Sequence, residues 1–568
     1  MIWLGWCFCL GSLPALAGPV IDPIPSASIP AGKSLIIPVT AASSNGRPLT
    51  FTATSSTNKI TVEVHTNNPF WKMSVVQAAT NGAPGSFLTP FRGGLVNVTN
   101  IGDMTFMLFK DITPHTVDVI QGLTASGFYS SNTIFHRVVP GFVIQGGDPQ
   151  TNGTGGPVFR YDDEFNPRAL FAGNGQLALA NSGKDTDGSQ FFVTIGPQRF
   201  LDLGYTLFGQ LLRGFNVLTT VGTTPTNGAS RPLSDVIITQ ASFVPDTADT
   251  VLTLAGTNSV GVSGTIKVIA DDGAGGRTTN TFTATTVADA NNEPPILFPT
   301  TVTNRVGAMN ARLTNIVTAL DLETNAFYWF PLALDNNVTN TTFSLVGGQL
   351  QLNVTPNSNF VGRAGILAVV SSDPNWNFYY QLYPPNQWPP YDWQVYTFAF
   401  GDTPISAIGT NFVARPLEPS TNQLLAVFTN GVPNSPNNTF IAFINWGDNS
   451  TNSGVITTNV GGRKEVRGSH TYTNSGNYPV YVTLQSTLGA DATIVSTAIV
   501  PPVLHLARSG TTNILRWPAF ATDYLLQSQT NLLSANWVDV AGFPALVGYE
   551  NVVTNSTTAG NFFFRLKK

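Results

Sequence analysis

The run Phe135-His136-Arg137-Val138-Val139-Pro140-Gly141-Phe142-Val143-Ile144-Gln145-Gly146-Gly147-Asp148 constrains this chain more than any other stretch. It is apolar enough for a buried strand, yet it carries one Arg and one Gln and closes on a double glycine and an Asp. A buried polar group needs a partner, so Arg137 and Gln145 are expected to face a cleft. Alternation along a strand sends His136 to the face opposite Arg137, which makes that histidine structural.

Around this run lies a long chain of low charge. With 568 residues it exceeds a single core, and about 100–200 residues per domain suggests roughly three to five domains. Only 10% of residues are charged, the formal net charge is -5, and no Lys/Arg cluster appears, which argues against nucleic acid as a partner. Thr, Asn, Gly, Ser and Val dominate the middle and end, a composition that favours β-sandwiches with many turns. Residues 1–17 form an apolar stretch too short to span a bilayer, ending in Ala15-Leu16-Ala17. Despite lacking a basic n-region, this stretch reads as a signal peptide cut before Gly18, which implies export to the periplasm, the cell surface or the medium. Cys7 and Cys9, the two cysteines, both lie inside it, so the mature chain is expected to carry neither a disulfide framework nor a cysteine metal site. No membrane span is expected in the mature chain.

Four alternating runs occupy residues 19–77: Ser34–Val39, Leu49–Thr54, Ile60–Val64 and Trp71–Val76. Three more follow Val244: Val251–Leu254, Gly264–Ala270 and Thr281–Thr285. Neither group can bury two sheet faces, whereas seven strands complete an immunoglobulin-like sandwich. Residues 19–77 and 244–287 are therefore expected to form one discontinuous domain around an insert at 94–243. Within the insert, Thr113-Pro114 offers an N-cap and a first-turn proline, and Val117, Ile120 and Leu123 follow near helical spacing, predicting a helix over Pro114 to Ala125.

A second block, Leu177-Ala178-Leu179-Ala180-Asn181-Ser182-Gly183 followed by Gly188-Ser189-Gln190-Phe191-Phe192-Val193-Thr194, stands in fixed order after the first. Together the two blocks resemble the signature of the cyclophilins, the peptidyl-prolyl cis/trans isomerases. The resemblance covers residues 94–243 and implies an eight-stranded antiparallel barrel plugged by two helices, the second near Phe215 to Val221. Arg137, Phe142, Gln145 and Phe192 are then the catalytic group, with Arg137 donating to the prolyl nitrogen. Phe142, Val143, Phe192 and Leu201 line the proline pocket. Gln145 and Asn181 bind the substrate backbone, Asn181 through its main chain beside Ala180, and Gln190 steadies the cleft. Phe200 and Tyr205 complete the substrate-binding residues. Val143 stands where Met is usual, Phe200 where many members have Trp, and Tyr205 where many have His. The Tyr205 change alters a hydrogen-bonding group at the rim, and loss of the indole N–H at Phe200 should weaken binding of the inhibitor cyclosporin. The reaction itself needs no cofactor, nucleophile or metal.

The remaining chain carries further resemblances. Ala270-Asp271-Asp272-Gly273-Ala274-Gly275-Gly276 resembles a late hairpin of cadherin-like repeats. Leu350–Asn357 with Asn359–Gly362 resembles a second such repeat at 293–400, interrupted by an aromatic and proline-rich insertion from Trp376 to Trp393. Phe443–Asn449, Gly468–Thr473 and Gly476–Tyr478 resemble a polycystic-kidney-disease (PKD) repeat at 402–502, and residues 503–568 form a small, loosely fibronectin-like β module. Asn291-Asn292-Glu293-Pro294-Pro295 reads as a stiff linker. His65, His115, His136, His470 and His505 show no ligand spacing. Asp271, Asp272, Asp289 and Glu293 are the acids at which calcium could sit at a sandwich junction, although acidic turn residues are ordinarily just solvated.

The fold expected is thus mainly β. The leading function is a secreted peptidyl-prolyl isomerase acting on proline-containing polypeptides, with the sandwiches available to a surface protein or polysaccharide. The rival is an adhesion or scaffold protein whose cyclophilin-like domain only binds proline-containing segments.

Overall fold

The computed structural model describes residues 18–568 apart from 45, 131, 246–247, 298–302, 324–325, 347, 377–389, 431–435, 510–511, 519–523, 531–535, 541–543, 548–549, 557–561 and 568. The expected signal peptide, with Cys7 and Cys9, and most of the Trp376–Trp393 insertion lie outside the described residues. The chain is mainly β, with two α-helices among the described residues. It divides into two compact units, residues 1–66 with 246–289, and residues 67–245 with 290–568.

In the second unit, the region around the opening motif is built from β1 (Phe70–Ala78), β2 (Ser86–Phe91), β3 (Gly94–Leu108), α1 (Pro114–Ala125), β4 (Thr133–Ile134), β5 (Arg137–Val139), β6 (Val143–Gly146), β7 (Gln176–Leu179), β8 (Phe191–Thr194), β9 (Leu207–Arg213), α2 (Phe215–Gly222) and β10 (Val236–Val244). The sheet order is β4-β10-β1-β3-β9-β7-β8-β6-β5, with β2 paired to β3 as a hairpin. The two ends of this order, β4 and β5, are neighbours in the chain, so the sheet curls back toward itself. Its described strands number ten where eight were expected; the extra pairing comes from β1 and from the β2–β3 hairpin.

The assignment of β1 corrects the sequence reading, which put Trp71–Val76 in the sandwich. Trp71, Met73 and Val75 alternate inward and are fully buried among Met104, Phe106, Ile120 and Phe191. The Trp71 ring lies edge-on to Tyr129 at 5.3 Å and to Phe191 at 5.5 Å. A side chain of that size dominates the energetics of whichever core accepts it, and the aromatic-rich core is the one with room.

The helix α1 covers its predicted span and buries Val117, Ile120 and Leu123. Its cap differs from expectation. Thr113 Oγ1 donates to the Phe109 carbonyl, and Glu164 instead accepts from the N–H groups of His115 (3.1 Å) and Thr116 (2.6 Å). A carboxylate satisfies two orphan donors at once and complements the helix dipole. Before α2, Gly214 adopts φ 97°, and a Cβ there would lie 2.2 Å from the Asp103 carbonyl oxygen, so the turn requires glycine.

The first unit contains two main sheets. One orders Ala27–Pro30, Arg277–Val287, Ser263–Asp271 and Thr50–Ser55; the other orders Ser34–Val39, Thr250–Gly256 and Ile60–Val64. Four strands precede the insert and three follow it, but Ala27–Pro30 stands in the place expected for Trp71–Val76. That strand pairs parallel to Arg277–Val287 and presents only Ala27 and Ile29 to the core, too short an alternation to stand out in sequence.

After residue 290 the second unit holds, among the described residues, three further pairs of sheets and a two-stranded sheet of Ile296–Leu297 with Ala319–Leu320. The cores of the three pairs centre on Val317, Leu352, Ile366 and Phe398; on Leu425, Trp446, Val480 and Tyr472; and on Leu515, Trp517 and Leu526. His470, from the PKD-like motif, stacks on Trp446 at 4.8 Å and bonds Asp448 at 2.7 Å, which gives that motif a structural use.

Candidate active site

The antiparallel pairing of β5 with β6 places Arg137 opposite Gln145, and β6 with β8 places Gln145 opposite Phe192. Register alone therefore gathers the cation, the amide and an aromatic ring on one face. They line a cavity of about 230 Å³ together with Phe142, Val143, Ala180, Asn181, Phe200, Leu201 and Tyr205. Ten of the eleven residues singled out in the sequence meet here. Gln190, the eleventh, lines an adjoining cavity of about 310 Å³ that shares Gln145, Ala180 and Asn181.

Arg137 is the only charged side chain among the described residues lining the first cavity. Its Nη1 donates to Gln145 Oε1 at 3.4 Å, and its guanidinium carbon sits 5.7 Å from the Phe142 ring centroid. Gln145 Nε2 donates in turn to Gln190 Oε1 at 3.0 Å. Gln190 Nε2 donates to the carbonyls of Gly153 (2.9 Å) and Gly155 (2.8 Å). The orientation of Arg137 is thus fixed by an amide relay that ends on a loop. That loop is held by Asp148, fully buried, which accepts from the N–H groups of Gln150, Asn152 and Gly153. Asp148 closes the opening motif, but sequence reading gave it no role; the double glycine before it is the signal that could have marked the turn it holds.

The apolar wall is equally specific. Phe192 stacks on Phe171 at 5.8 Å and meets Tyr205 edge-on at 5.4 Å. Phe200, 71% exposed, stacks on Phe142 at 5.5 Å at the rim. Val143, Phe192 and Leu201 are buried. Asn181 Nδ2 donates to Asp163 Oδ1 at 3.2 Å and to the Gly204 carbonyl at 3.5 Å, and Asn181 lines the cavity beside Ala180.

Beneath the cleft lies a cluster of acids that sequence reading did not single out. Asp187 accepts from Thr206 Oγ1 at 2.7 Å, and burial together with neighbouring Asp163 pushes its carboxyl up to about 8. His136 is buried beneath the loop, and burial lowers its pKa. Among the described residues no group of three or more His, Cys, Asp or Glu side chains is arranged to hold a metal. Of the acids weighed for calcium, Asp271 pairs with Arg277 at 3.0 Å, Asp272 accepts from the N–H groups of Ala274 and Gly276, and Glu293 pairs with Arg199, 94 residues away.

Residues 95–243 match the family described as cyclophilin type peptidyl-prolyl cis-trans isomerase/CLD. The peptidyl-prolyl cis-trans isomerase-like 1 of Aspergillus niger is 39% identical over 154 residues, 27% of this chain and 94% of that protein. Its Homo sapiens counterpart is 40% identical over 146 residues, 25% of this chain and 87% of that protein. A solved cyclophilin type isomerase of Cryptosporidium parvum shares 32% identity, covering 31% of this chain and 99% of that one, with a TM-score of 0.25. Because this chain covers most of the length of these two isomerase-like 1 relatives at 39–40% identity, it belongs to the cyclophilin-type peptidyl-prolyl cis/trans isomerases.

Proposed function

We propose that this isomerase is exported and rotates X-Pro bonds in exported or surface polypeptides, carried among β-sandwiches that themselves bind a surface protein or polysaccharide. The observation that carries the catalytic part is the pairing of one guanidinium with a cavity lined otherwise by uncharged, mostly apolar side chains. The barrier to peptide rotation, about 18–20 kcal/mol, comes from amide resonance. In the twisted amide the prolyl nitrogen regains a lone pair. Arg137 donates a hydrogen bond to it, while Phe142, Val143, Phe192 and Leu201 hold the ring and exclude water. The interaction is made only once the lone pair forms, so it lowers the barrier and does not merely tighten binding.

Export is supported by the apolar stretch at residues 1–17, which ends in Ala15-Leu16-Ala17. Among the described residues no helix is long and apolar enough to cross a membrane. X-Pro bonds isomerise unaided over tens of seconds or longer, which makes exported chains clients worth catalysing. The test is fractionation of the source cells with N-terminal sequencing, alongside proline-limited refolding of an exported polypeptide. A mature chain starting at Gly18 outside the cytoplasm, speeding that refolding, is expected; a cytoplasmic chain retaining Met1 would overturn the export reading.

A further inference from the structure

The sequence presents Asn291–Pro295 as a spacer, but Glu293 is only 2% exposed. Its carboxylate pairs with Arg199 Nη2, and the same guanidinium pairs through Nε with Asp202. Asp202 Oδ1 then accepts from the Phe171 N–H at 2.5 Å. Arg199 opens the short 3₁₀ turn Arg199–Leu201, which carries Phe200 and Leu201 into the cleft, and Phe171 stacks on the cavity-lining Phe192. One line of charges thus runs from beyond the isomerase region to one wall of the proline pocket.

A second stretch of the cleft lining is held in the same way. Lys184, in the loop following Asn181, pairs at 2.5 Å with Asp392 of the strand Tyr391–Phe400, a carboxylate 8% exposed. Asp392 is itself fixed by the N–H groups of Leu297 and Trp393, both at 2.7 Å. Between these two ion pairs, Leu170 and Leu203 bury Ile296 against Leu320 and Leu322. Ion pairs with buried members lock geometry more firmly than exposed ones, since neither partner has water to return to.

We propose that Glu293 and Asp392, both outside residues 95–243, are positioning residues for the isomerase cleft: they hold the Arg199–Leu201 turn and the loop after Asn181 in place and thereby set the fit of the residues flanking proline. The proposal rests on the cleft assigned above. Neither residue touches the cavity, so their effect is on binding rather than on the donor to the prolyl nitrogen.

The test uses the full chain. Glu293→Gln leaves Arg199 its partner Asp202, and Asp392→Asn keeps one side-chain oxygen, enough for the Leu297 N–H but not also for the Trp393 N–H, so thermal unfolding of both variants is compared with that of the parent. Each is expected to raise KM for X-Pro tetrapeptides about three- to tenfold with kcat little changed, the signature of lost ground-state fit. Amide exchange of 181–187 in Asp392→Asn, and of 199–205 in Glu293→Gln, should quicken while that of α1 does not. Unchanged KM and unchanged exchange in both variants would overturn the proposal. The exchange readout does not depend on turnover, so it decides the matter even if Arg137→Ala keeps its activity and the cleft assignment itself fails.

Discussion

Removing Arg137 tests the chemistry most directly. The side chain is half-buried, makes one long hydrogen bond of 3.4 Å to Gln145, and is the only charge among the described residues lining its cavity. Arg137→Ala therefore deletes one preorganised donor without orphaning a buried counter-ion, and the fold should survive. Loss of a single donor aimed at developing charge costs about 2.7–4 kcal/mol, or roughly 10²–10³ in rate. An isomerase accelerating rotation about 10⁵-fold needs about 7 kcal/mol of differential stabilisation, so the pocket alone should retain roughly half of that. The assay is turnover of an X-Pro tetrapeptide by the full chain, with binding measured separately. The expected result is a fall in kcat of about two to three decades with KM little altered, because the donor acts in the twisted state. Gln145→Ala, which frees the guanidinium to wander, should fall between the variant and the parent. Activity of Arg137→Ala within about threefold of the parent, from a protein with unchanged thermal unfolding, refutes the role assigned to Arg137.

Phe200 stacks on Phe142 at an exposed rim, where an added indole N–H would be open to a ligand; the parent should bind cyclosporin weakly, and Phe200→Trp should tighten it about two- to tenfold, as for one hydrogen bond. Nanomolar inhibition of the parent would contradict this. Asp187 holds its proton up to about 8 in the folded state, well above the ordinary carboxyl value of about 3.9. The folded chain then binds a proton the unfolded chain has released, so this group's contribution to stability is lost as pH rises from about 4 to about 8. Asp187→Asn should give a melting temperature that falls less steeply over that window, and parallel curves for parent and variant would refute it.

Local signals were the legible ones. The proline and apolar spacing that start α1 lie within one turn of each other and predict Pro114–Ala125, the span observed. Arg137 and Gln145 were legible because two polar groups in an apolar strand eight residues apart come into register across a tight β-hairpin. What sequence could not convey was partnership between distant segments. Trp71–Val76 alternates as a sandwich strand does, and only the presence of a larger aromatic core elsewhere decides its placement. Glu164 caps α1 from 49 residues away, displacing the nearby Thr113 because a carboxylate satisfies two N–H groups where a hydroxyl satisfies one. Glu293 reads as part of a solvated linker until Arg199 is found opposite it.

The same distinction between local pattern and distant partnership governs the sandwich split by the isomerase. Its three-stranded sheet puts Thr250–Gly256, from after the insert, between Ser34–Val39 and Ile60–Val64, from before it, so neither segment has a sheet of its own to complete. The segments are joined where the insert departs: the His65 N–H donates to the Val251 carbonyl at 2.9 Å, and Thr250 Oγ1 donates to the His65 carbonyl at 3.0 Å. The insert's own ends are also paired, Phe70 lying opposite Val244 in β1 and β10. A folded insert therefore presents the sandwich with two adjacent chain ends, whereas an unfolded one is a loop whose closure costs about 3 kcal/mol more than that of a few-residue turn. Replacing residues 67–245 by a short Gly-Ser turn should then leave a sandwich that unfolds in one cooperative transition and refolds faster than it does within the intact chain, while residues 18–66 alone should show no cooperative transition. Both outcomes are read by circular dichroism and denaturant unfolding. Cooperative folding of residues 18–66 on their own, or failure of the spliced chain to fold, would show that the two segments are not one domain.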